Sequence, residues 1–295
     1  MGSLIEINTE GLAKLVETIC NATGLTAYGR KKMADAEAYT EIRKAETEAK
    51  AELLRLKGQD EVANYIEARE TRKLNNVKSV LEKASSHFTE GEKVSDEPVD
   101  ADWTNRFIGI VEDISDETLQ DIWGRILAGE VKRPNSYSLR TLDLLRNITK
   151  EEAELFVKAS KYYIERDCIY TGDFALSLNE TLLLGETGLI NSEGLTMNWN
   201  VEPNSKLNVI VDKQTLLILQ NDSNKRFKII PSLRRLSKAG IEILSLIDKP
   251  DRKDFYQSLA RFFKSKGISR VFRHDIIGYT DTQYRYKSEG EELEA

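Results

Sequence analysis

Few side chains in this sequence could support nucleophilic or metal chemistry. The 295 residues include two histidines, His87 and His274, and two cysteines, Cys20 and Cys168. Metal sites need several such residues at short spacings, and a catalytic cysteine or serine needs a histidine partner. None of the four residues lies near another along the chain. We therefore expect no catalytic residue, no metal site and no cofactor.

Sequence motifs for phosphate binding and covalent catalysis are missing as well. The chain contains no GxxxxGK[ST] loop, no GxGxxG turn and no GxSxG elbow. These motifs supply the backbone cradle for a nucleotide or the strained turn for a nucleophilic serine. The sequence therefore favours a protein that acts by contact over an enzyme.

The charge distribution is uneven along the chain. The net charge is −6, yet the segment between Lys225 and Arg273 holds fourteen basic and four acidic residues and carries +10. Such a segment attracts nucleic acid, anionic lipid or an acidic partner, or it forms a solvated surface facing acidic parts of the same assembly. The candidate residues for nucleic-acid binding are Lys225, Arg226, Lys228, Arg234, Arg235, Arg252 and Lys253.

Length and composition predict a soluble protein of about two folded units. The chain is 40% hydrophobic and 31% charged, with a mean hydropathy of −0.46. No apolar run reaches the length of a membrane span, and the N-terminus lacks the pattern of a secretory signal. Two isolated cysteines suit a reducing compartment, so we expect a cytoplasmic location.

The chain from 1 to 86 is predicted to form an amphipathic helix followed by a charged helical hairpin, an arm for oligomerisation. The helix at 8–28 has one apolar face with no partner within the arm. The seam of average spacing 3.5 at 30–56 can pair with the stripe of the second hairpin helix, but the pair leaves little additional core. We therefore expect the arm to associate with a second copy of the chain. The expected oligomerisation residues are Leu12, Leu15, Val16, Ile19, Ile42, Ala45, Ala49, Leu53 and Leu56.

A helical core block is predicted for 102–165, after an acidic linker at 87–101. Ser115 is expected to cap one helix, and Thr149 with Glu152 forms the capping-box pattern of another. Arginines in this block either join helices through salt links or bind an anion or a partner protein. These candidates are Arg106, Arg125, Arg140 and Arg146.

The remainder of the chain changes from helical to alternating periodicity. Residues 166–278 are predicted to form an α+β module of winged-helix-like order, and 279–295 a mobile polar tail. The helix placed to read bases, around 179–185, contains no Arg, Lys or Gln, which favours protein contact over DNA reading. The predicted fold class is thus mainly α with a C-terminal α+β part.

Several motifs in the central block resemble a known family. They are DWTNRF at 102–107, WGRILAGE at 123–130, SLRTL at 138–142 and TKEEA at 149–153. Their order resembles a bacterial family known as domain of unknown function 2806, most clearly over 102–160, and more loosely the abortive-infection alpha proteins. The first family implies no chemistry, and the looser resemblance implies a role in phage defence.

These observations lead to one expected function and two alternatives. We expect a non-enzymatic interaction component of bacterial antiphage defence that self-assembles through its N-terminal helices. Its C-terminal body would recognise another defence-system protein or a phage protein. The first alternative is a nucleic-acid-binding regulator or effector that uses the basic 225–273 segment. The second is an effector bound to a membrane surface through the helix at 8–28.

Overall fold

The structure is a computed structural model that describes residues 9–23, 36–89, 91–164, 167–172, 174–195, 197–279 and 284–294. The chain divides into two compact units, Met1–Arg146 and Asn147–Ala295. The first unit is helical and the second combines helices with β-sheets, which confirms the predicted fold class in outline. Within the ranges above, no helix is both long and apolar enough to cross a membrane.

The described part of the N-terminal unit is built mainly from helices. Its helices are α1 Thr9–Thr23, α2 Ala36–Leu56, α3 Asp60–Ser86, α4 Ala101–Val111, α5 Glu117–Lys132 and α6 Leu139–Asn147. Asp100 caps α4 and Asp116 caps α5, each accepting a hydrogen bond from a backbone N–H in the first turn. The cap of α5 is therefore one residue beyond Ser115, where the sequence predicted it.

Helices α2 and α3 form the predicted hairpin. The turn between them contains Gly58 at φ +70°, a backbone conformation that glycine adopts without steric cost. Ala51 and Ala63 are fully buried in the unit, and Arg55 bonds Glu67 at 2.6 Å between the two helices. The apolar stripe of α3, which includes Leu74 and Val77, is also buried.

An aromatic cluster forms the centre of the N-terminal unit. The rings of Trp103 and Phe107 stack at 5.2 Å, and Phe107 meets Trp123 edge-on at 5.7 Å. The indole N–H of Trp103 donates to the carbonyl oxygen of Tyr137 at 2.7 Å, so this buried donor is satisfied. Both tryptophans are therefore core residues.

The segment expected to be a linker, 87–101, lies inside the N-terminal unit. Phe88 and Val99 are buried, and the Lys132 ammonium donates to the carbonyl of His87 at 2.7 Å. The backbone N–H of Ser95 in turn donates to the carbonyl of Lys132. The boundary between the units follows Arg146 instead, because these apolar side chains fix the acidic segment to the helices.

The C-terminal unit has four helices and eleven strands in its described part. Its helices are α7 Lys150–Ser160, α8 Leu178–Glu186, α9 Lys238–Leu244 and α10 Lys253–Ser265. Its strands are β1 Tyr163–Ile164, β2 Cys168–Tyr170, β3 Ile190–Leu195, β4 Trp199–Val201, β5 Ser205–Asp212, β6 Thr215–Asn221, β7 Phe227–Ile229, β8 Leu233–Leu236, β9 Arg270–Tyr279, β10 Tyr284–Tyr286 and β11 Glu291–Glu292.

The strands form two antiparallel sheets and a short ribbon. One sheet has the order β1-β2-β8-β3, the other has the order β10-β9-β6-β5 with β11 also paired to β9, and β4 pairs with β7. Strands β5 and β6 form a hairpin, and the predicted capping box of Thr149 and Glu152 begins α7. Phe255, Leu259 and Phe263 form the buried face of α10.

The end of the chain differs from the expected mobile tail. Strands β10 and β11 pair with β9, with Tyr284 opposite Tyr279 and Glu291 opposite Arg273. Leu293 is buried, and its carbonyl accepts a hydrogen bond from the Lys264 ammonium at 2.9 Å. One apolar residue within a polar stretch thus holds the strand in place, a signal too short for periodicity to reveal.

Candidate functional site

A cleft of about 570 Å³ lies within the C-terminal unit. We call it the basic cleft. Its walls come from the β5–β6 turn, the connection between α9 and α10, the first turn of α10, and β9. Its lining includes Tyr163, Asp212, Lys213, Leu244, Ile247, Lys249, Pro250, Asp251, Arg252, Lys253, Tyr256 and Arg273.

Arg252 fixes the geometry of the basic cleft. Its guanidinium donates to the carbonyl oxygens of Lys161, at 3.0 Å, and Tyr163, and to the carboxylate of Asp212. The Arg252 side chain is 11% exposed and that of Asp212 19%. Arg252 directly precedes α10. Its side chain therefore connects the start of α10 to the end of β5, to β1 and to Lys161 just before β1.

The ring of Tyr256 lies between two guanidinium groups. The guanidinium carbons of Arg252 and Arg273 are each 5.4 Å from the ring centroid, a cation–π distance. The phenol donates to Asp212 at 3.1 Å and lies 3.2 Å from the hydroxyl of Thr215. Burial raises the pKa of Tyr256, so the phenol remains a hydrogen-bond donor at neutral pH.

Acidic side chains compensate the charge of Arg273. Its guanidinium bonds Asp275 and Glu291, both at 3.2 Å. A hydrogen bond from the Lys287 ammonium, reinforced by the charge of Arg273, holds the pKa of Asp275 below its usual value. The carboxylate of Asp275 is thus ionised at neutral pH. Arg273 therefore supports the wall of the cleft and adds little uncompensated charge.

Three lysines give the basic cleft its excess positive charge. Lys213, Lys249 and Lys253 line the cleft and are exposed, and no carboxylate among the described residues forms an ion pair with any of them. The carboxylate of Asp251 accepts a hydrogen bond from the backbone N–H of Lys253 at 3.0 Å. The arrangement suits the binding of an anion, because each ammonium is a free point charge.

The histidines and Cys168, which were not expected to be catalytic, lie in contacts within the fold. Nδ1 of His274 lies 2.9 Å from the carbonyl oxygen of Lys287, and Nε2 of His87 lies 3.0 Å from the carboxylate of Asp121. Cys168 is buried and forms no disulfide. In the part of the chain that the structure describes, no cluster of His, Cys, Asp and Glu could hold a metal ion.

The structure brings together only part of the predicted nucleic-acid set. Of the seven candidates, Arg252 and Lys253 line the basic cleft. Arg226 pairs with Glu202 at 2.7 Å, and Arg234 donates to the carbonyl of Leu233. Lys225, Lys228 and Arg235 are exposed on the segment from 225 to 235.

Sequence reasoning did not select the other residues of the cleft. Lys249 and Arg273 belong to the basic segment and so carried a charge signal. Lys213 lies outside that segment and Tyr256 is uncharged, so neither carried this signal. The pairing of β6 with β9 places Thr215 opposite Asp275. These residues are far apart in the sequence, and no local sequence pattern predicts that they lie close together.

The four arginine candidates of the N-terminal unit do not form one cluster in the structure, although Arg106 and Arg146 line the same groove. Arg106 bonds both carboxylate oxygens of Asp143, at 3.0 and 3.1 Å, which joins α4 to α6. Arg125 bonds Asp121 at 3.1 Å within α5, and Arg140 is exposed. The Arg106 pair fits the interpretation of these arginines as links between helices.

The predicted oligomerisation residues divide into a buried and an exposed set. Leu15 and Ile19 of α1 are buried within the N-terminal unit, where α1 packs against α4 and α5. The side chains of Leu12 and Val16 lie outside the described residues. On α2, Ile42 is half-buried and the rest of the predicted seam is exposed. We call the exposed residues the α2 seam, which comprises Ala45, Ala49, Leu53 and Leu56.

A second exposed apolar surface lies on α8. Leu178 is 71% exposed and Leu182 is 53% exposed, one helical turn apart. The capping box of Ser177 and Glu180 begins this helix, and Glu180 also bonds Lys158 of α7 at 2.6 Å. Part of the exposed face of α8 is therefore apolar, next to the exposed polar residues Asn179 and Glu186.

Comparison with known proteins supports the resemblance seen in the motifs. Residues 61–168 match the model of a family described as "Protein of unknown function (DUF2806)". Neither the curated proteins nor the solved structures gave a match. The matched region begins within α3, covers α4, α5, α6 and α7, and ends at the first residue of β2. It thus extends the resemblance seen at 102–160 towards the N-terminus.

Proposed function

We propose that the protein acts by contact, self-associating through the α2 seam and recognising a partner protein through its C-terminal unit. The observation that carries the proposal is the exposure of Leu53 (54%) and Leu56 (77%) at the spacing of a helix-pair seam. Burying one leucine side chain contributes roughly 1.5–3 kcal/mol. A second copy related by two-fold symmetry would bury both leucines in each chain.

Light scattering after size-exclusion chromatography tests self-association. At micromolar concentration we expect the wild type to elute as a dimer or larger assembly, and a variant with Leu53→Glu and Leu56→Glu to elute as a monomer. Leu119→Glu is the matched control, because Leu119 is 48% exposed on α5 of the same unit. A monomeric wild type, or equal dissociation by the control, contradicts the proposal.

Two features of the C-terminal unit support partner recognition. The helix α7 precedes β2, α8 lies between β2 and β3, and β8 pairs between those two strands. This order favours a winged-helix-like module, in which the helix equivalent to α8 is the contact element. Because Leu178 and Leu182 are exposed there and α8 has no basic residue, a protein surface is the better ligand for it.

Nucleic-acid binding is the second candidate function. Its support is the exposure of Lys225, Lys228 and Arg235, none of which pairs with a carboxylate among the described residues. Contacts of this kind bind phosphates without sequence preference and weaken steeply with salt. A gel-shift assay with DNA and RNA at low and high salt tests it. Absence of binding at low salt contradicts this candidate.

Two residues of the apolar face on which the membrane alternative depends are covered within the protein. Leu15 and Ile19 of α1 are buried inside the N-terminal unit rather than free to enter lipid. The basic residues at 30–32 lie outside the described part of the chain. Failure of the protein to float with anionic liposomes would dismiss this alternative.

The proposed setting of these contacts is bacterial antiphage defence in the cytoplasm. It rests on the looser resemblance to abortive-infection alpha proteins, to which the comparisons add no support. Plating of a phage panel on cells with and without the gene tests it. We expect fewer plaques with the wild-type gene, and protection should disappear with the Leu53→Glu and Leu56→Glu variant. Equal plaque counts with and without the gene contradict the defence role.

A further inference from the structure

We propose that the basic cleft binds a nucleotide, with its phosphates on the lysines and its base against the apolar wall. The cleft volume of about 570 Å³ lies within the range of small-molecule sites. The proposal is independent of self-association and of partner recognition by α8. The basic cleft shares no residue with the α2 seam or with the exposed face of α8.

The positive side of the cleft is available to a ligand. Lys213 extends from the β5–β6 turn, while Lys249 and Lys253 come from the chain that leads into α10. The two arginines nearby are already engaged, Arg252 by Asp212 and two carbonyls and Arg273 by two carboxylates. The phosphates would therefore be bound by the lysines, and the arginines would keep the wall in place.

Part of the cleft lining is apolar. Leu244, Ile247 and Pro250 form this part and are each half-buried. A bare inorganic anion gains nothing from such a wall, whereas a ligand with a flat, weakly polar part buries surface against it. Apolar walls combined with a few convergent polar groups are typical of small-molecule sites.

The arrangement favours a compact nucleotide over a nucleic-acid strand. Proteins that bind single strands line a groove with cations that follow the backbone. Lys213, Lys249 and Lys253 instead line one cleft. We therefore expect the cleft to accept a whole mononucleotide and to bind an oligonucleotide more weakly.

Isothermal titration calorimetry of the full chain with ATP, pyrophosphate and a single-stranded oligonucleotide tests the proposal. The titrations are done without divalent cations. We expect ATP to bind more tightly than pyrophosphate or the oligonucleotide. A variant with Lys249→Met and Lys253→Met should bind ATP at least tenfold more weakly, because each change removes a charge-assisted contact. Lys225→Met is the matched control, since Lys225 is exposed in the same unit and lies outside the cleft.

A second variant tests the apolar wall. Ile247→Ser should weaken ATP binding several-fold and leave pyrophosphate binding unchanged. Far-UV circular dichroism and thermal melting establish that each variant is folded. Equal affinity for pyrophosphate and ATP, tighter binding of the oligonucleotide, or no binding of ATP by the wild type each overturns the proposal. Equal losses in the cleft variant and the Lys225→Met control also overturn it.

Discussion

Gly124 of α5 lies directly against the backbone of Ala84 in α3. A Cβ atom at position 124 would come within 2.9 Å of the Ala84 backbone nitrogen. Gly124 belongs to the WGRILAGE motif, and its missing side chain sets how closely these two helices approach. The neighbouring atoms are backbone and cannot rotate away.

Gly124→Ala should therefore destabilise the N-terminal unit by about 1–3 kcal/mol, the usual cost of overpacking. Gly109→Ala is the matched control, because Gly109 is also helical and has no atom within 4 Å of its added Cβ. It should raise stability by about 0.5–1 kcal/mol, as alanine is the better helix former. Urea unfolding followed by circular dichroism measures both. Equal effects of the two variants contradict this account.

The second prediction concerns Glu130, the last residue of the same motif. This carboxylate is buried and accepts hydrogen bonds from the backbone N–H groups of Asn135, at 2.6 Å, and Tyr137, at 2.9 Å. Glu130→Gln replaces one acceptor oxygen by a donor, so one backbone group loses its partner, at a cost of about 1–3 kcal/mol. Urea unfolding should show this loss, whereas Glu41→Gln on exposed α2 should show none.

The third prediction uses the pH dependence of Glu180. The hydrogen bond from Lys158, together with that from the backbone N–H of Ser177, lowers its pKa to about 2 from 4.5. A lowered carboxylate pKa stabilises the fold above pH 4.5, and this contribution is lost as pH falls towards 2. Glu180→Gln should thus be less stable at pH 7, and the difference from wild type should shrink below pH 4.5.

Because the Glu180 side chain is 31% exposed, solvent screening keeps this difference to about 1 kcal/mol or less. Urea unfolding of wild type and variant from pH 7 to pH 2.5 measures it. Glu186→Gln, at the exposed end of the same helix, is the control and should follow the wild type at every pH. A Glu180→Gln difference that stays constant down to pH 2.5 would contradict the assigned contacts.

The fourth prediction concerns the pair of Arg252 and Asp212. Arg252→Met leaves a partly buried carboxylate without its cation and should destabilise the C-terminal unit by about 3 kcal/mol. Adding Asp212→Asn removes the unpaired charge, so the double variant should be more stable than Arg252→Met alone. Thermal unfolding of the single and double variants measures the coupling. Strictly additive losses would show that the pair does not interact.

Helix caps and helix ends were predictable from the sequence because each depends on a few neighbouring residues. The capping box at Thr149 and Glu152 and the cap at Ser237 each depend on residues within one helical turn. Gly267, at φ +100°, follows the end of α10, and a glycine after a helix end is a local signal of the same kind. The heptad spacing of Leu53 and Leu56 likewise selected residues that the structure leaves exposed.

Features that depend on long-range packing were not predictable in the same way. Periodicity identified an apolar face on α1, but not that α4 and α5 would cover Leu15 and Ile19. The acidic composition of 87–101 suggested a linker, whereas two apolar residues, Phe88 and Val99, hold it within the unit. The basic cleft depends on strands β5, β6 and β9 meeting, which no short segment specifies.

The strand order β2-β8-β3 has a consequence for the order of folding during synthesis. Strand β2 ends at Tyr170 and β3 at Leu195, but their shared partner β8 begins only at Leu233. While the ribosome makes the intervening residues, β2 and β3 each present an open edge that could pair with another chain. The helical unit, which ends at Arg146, is complete before this interval starts. Truncated translation products that stop before Leu236 are therefore the forms most prone to aggregate.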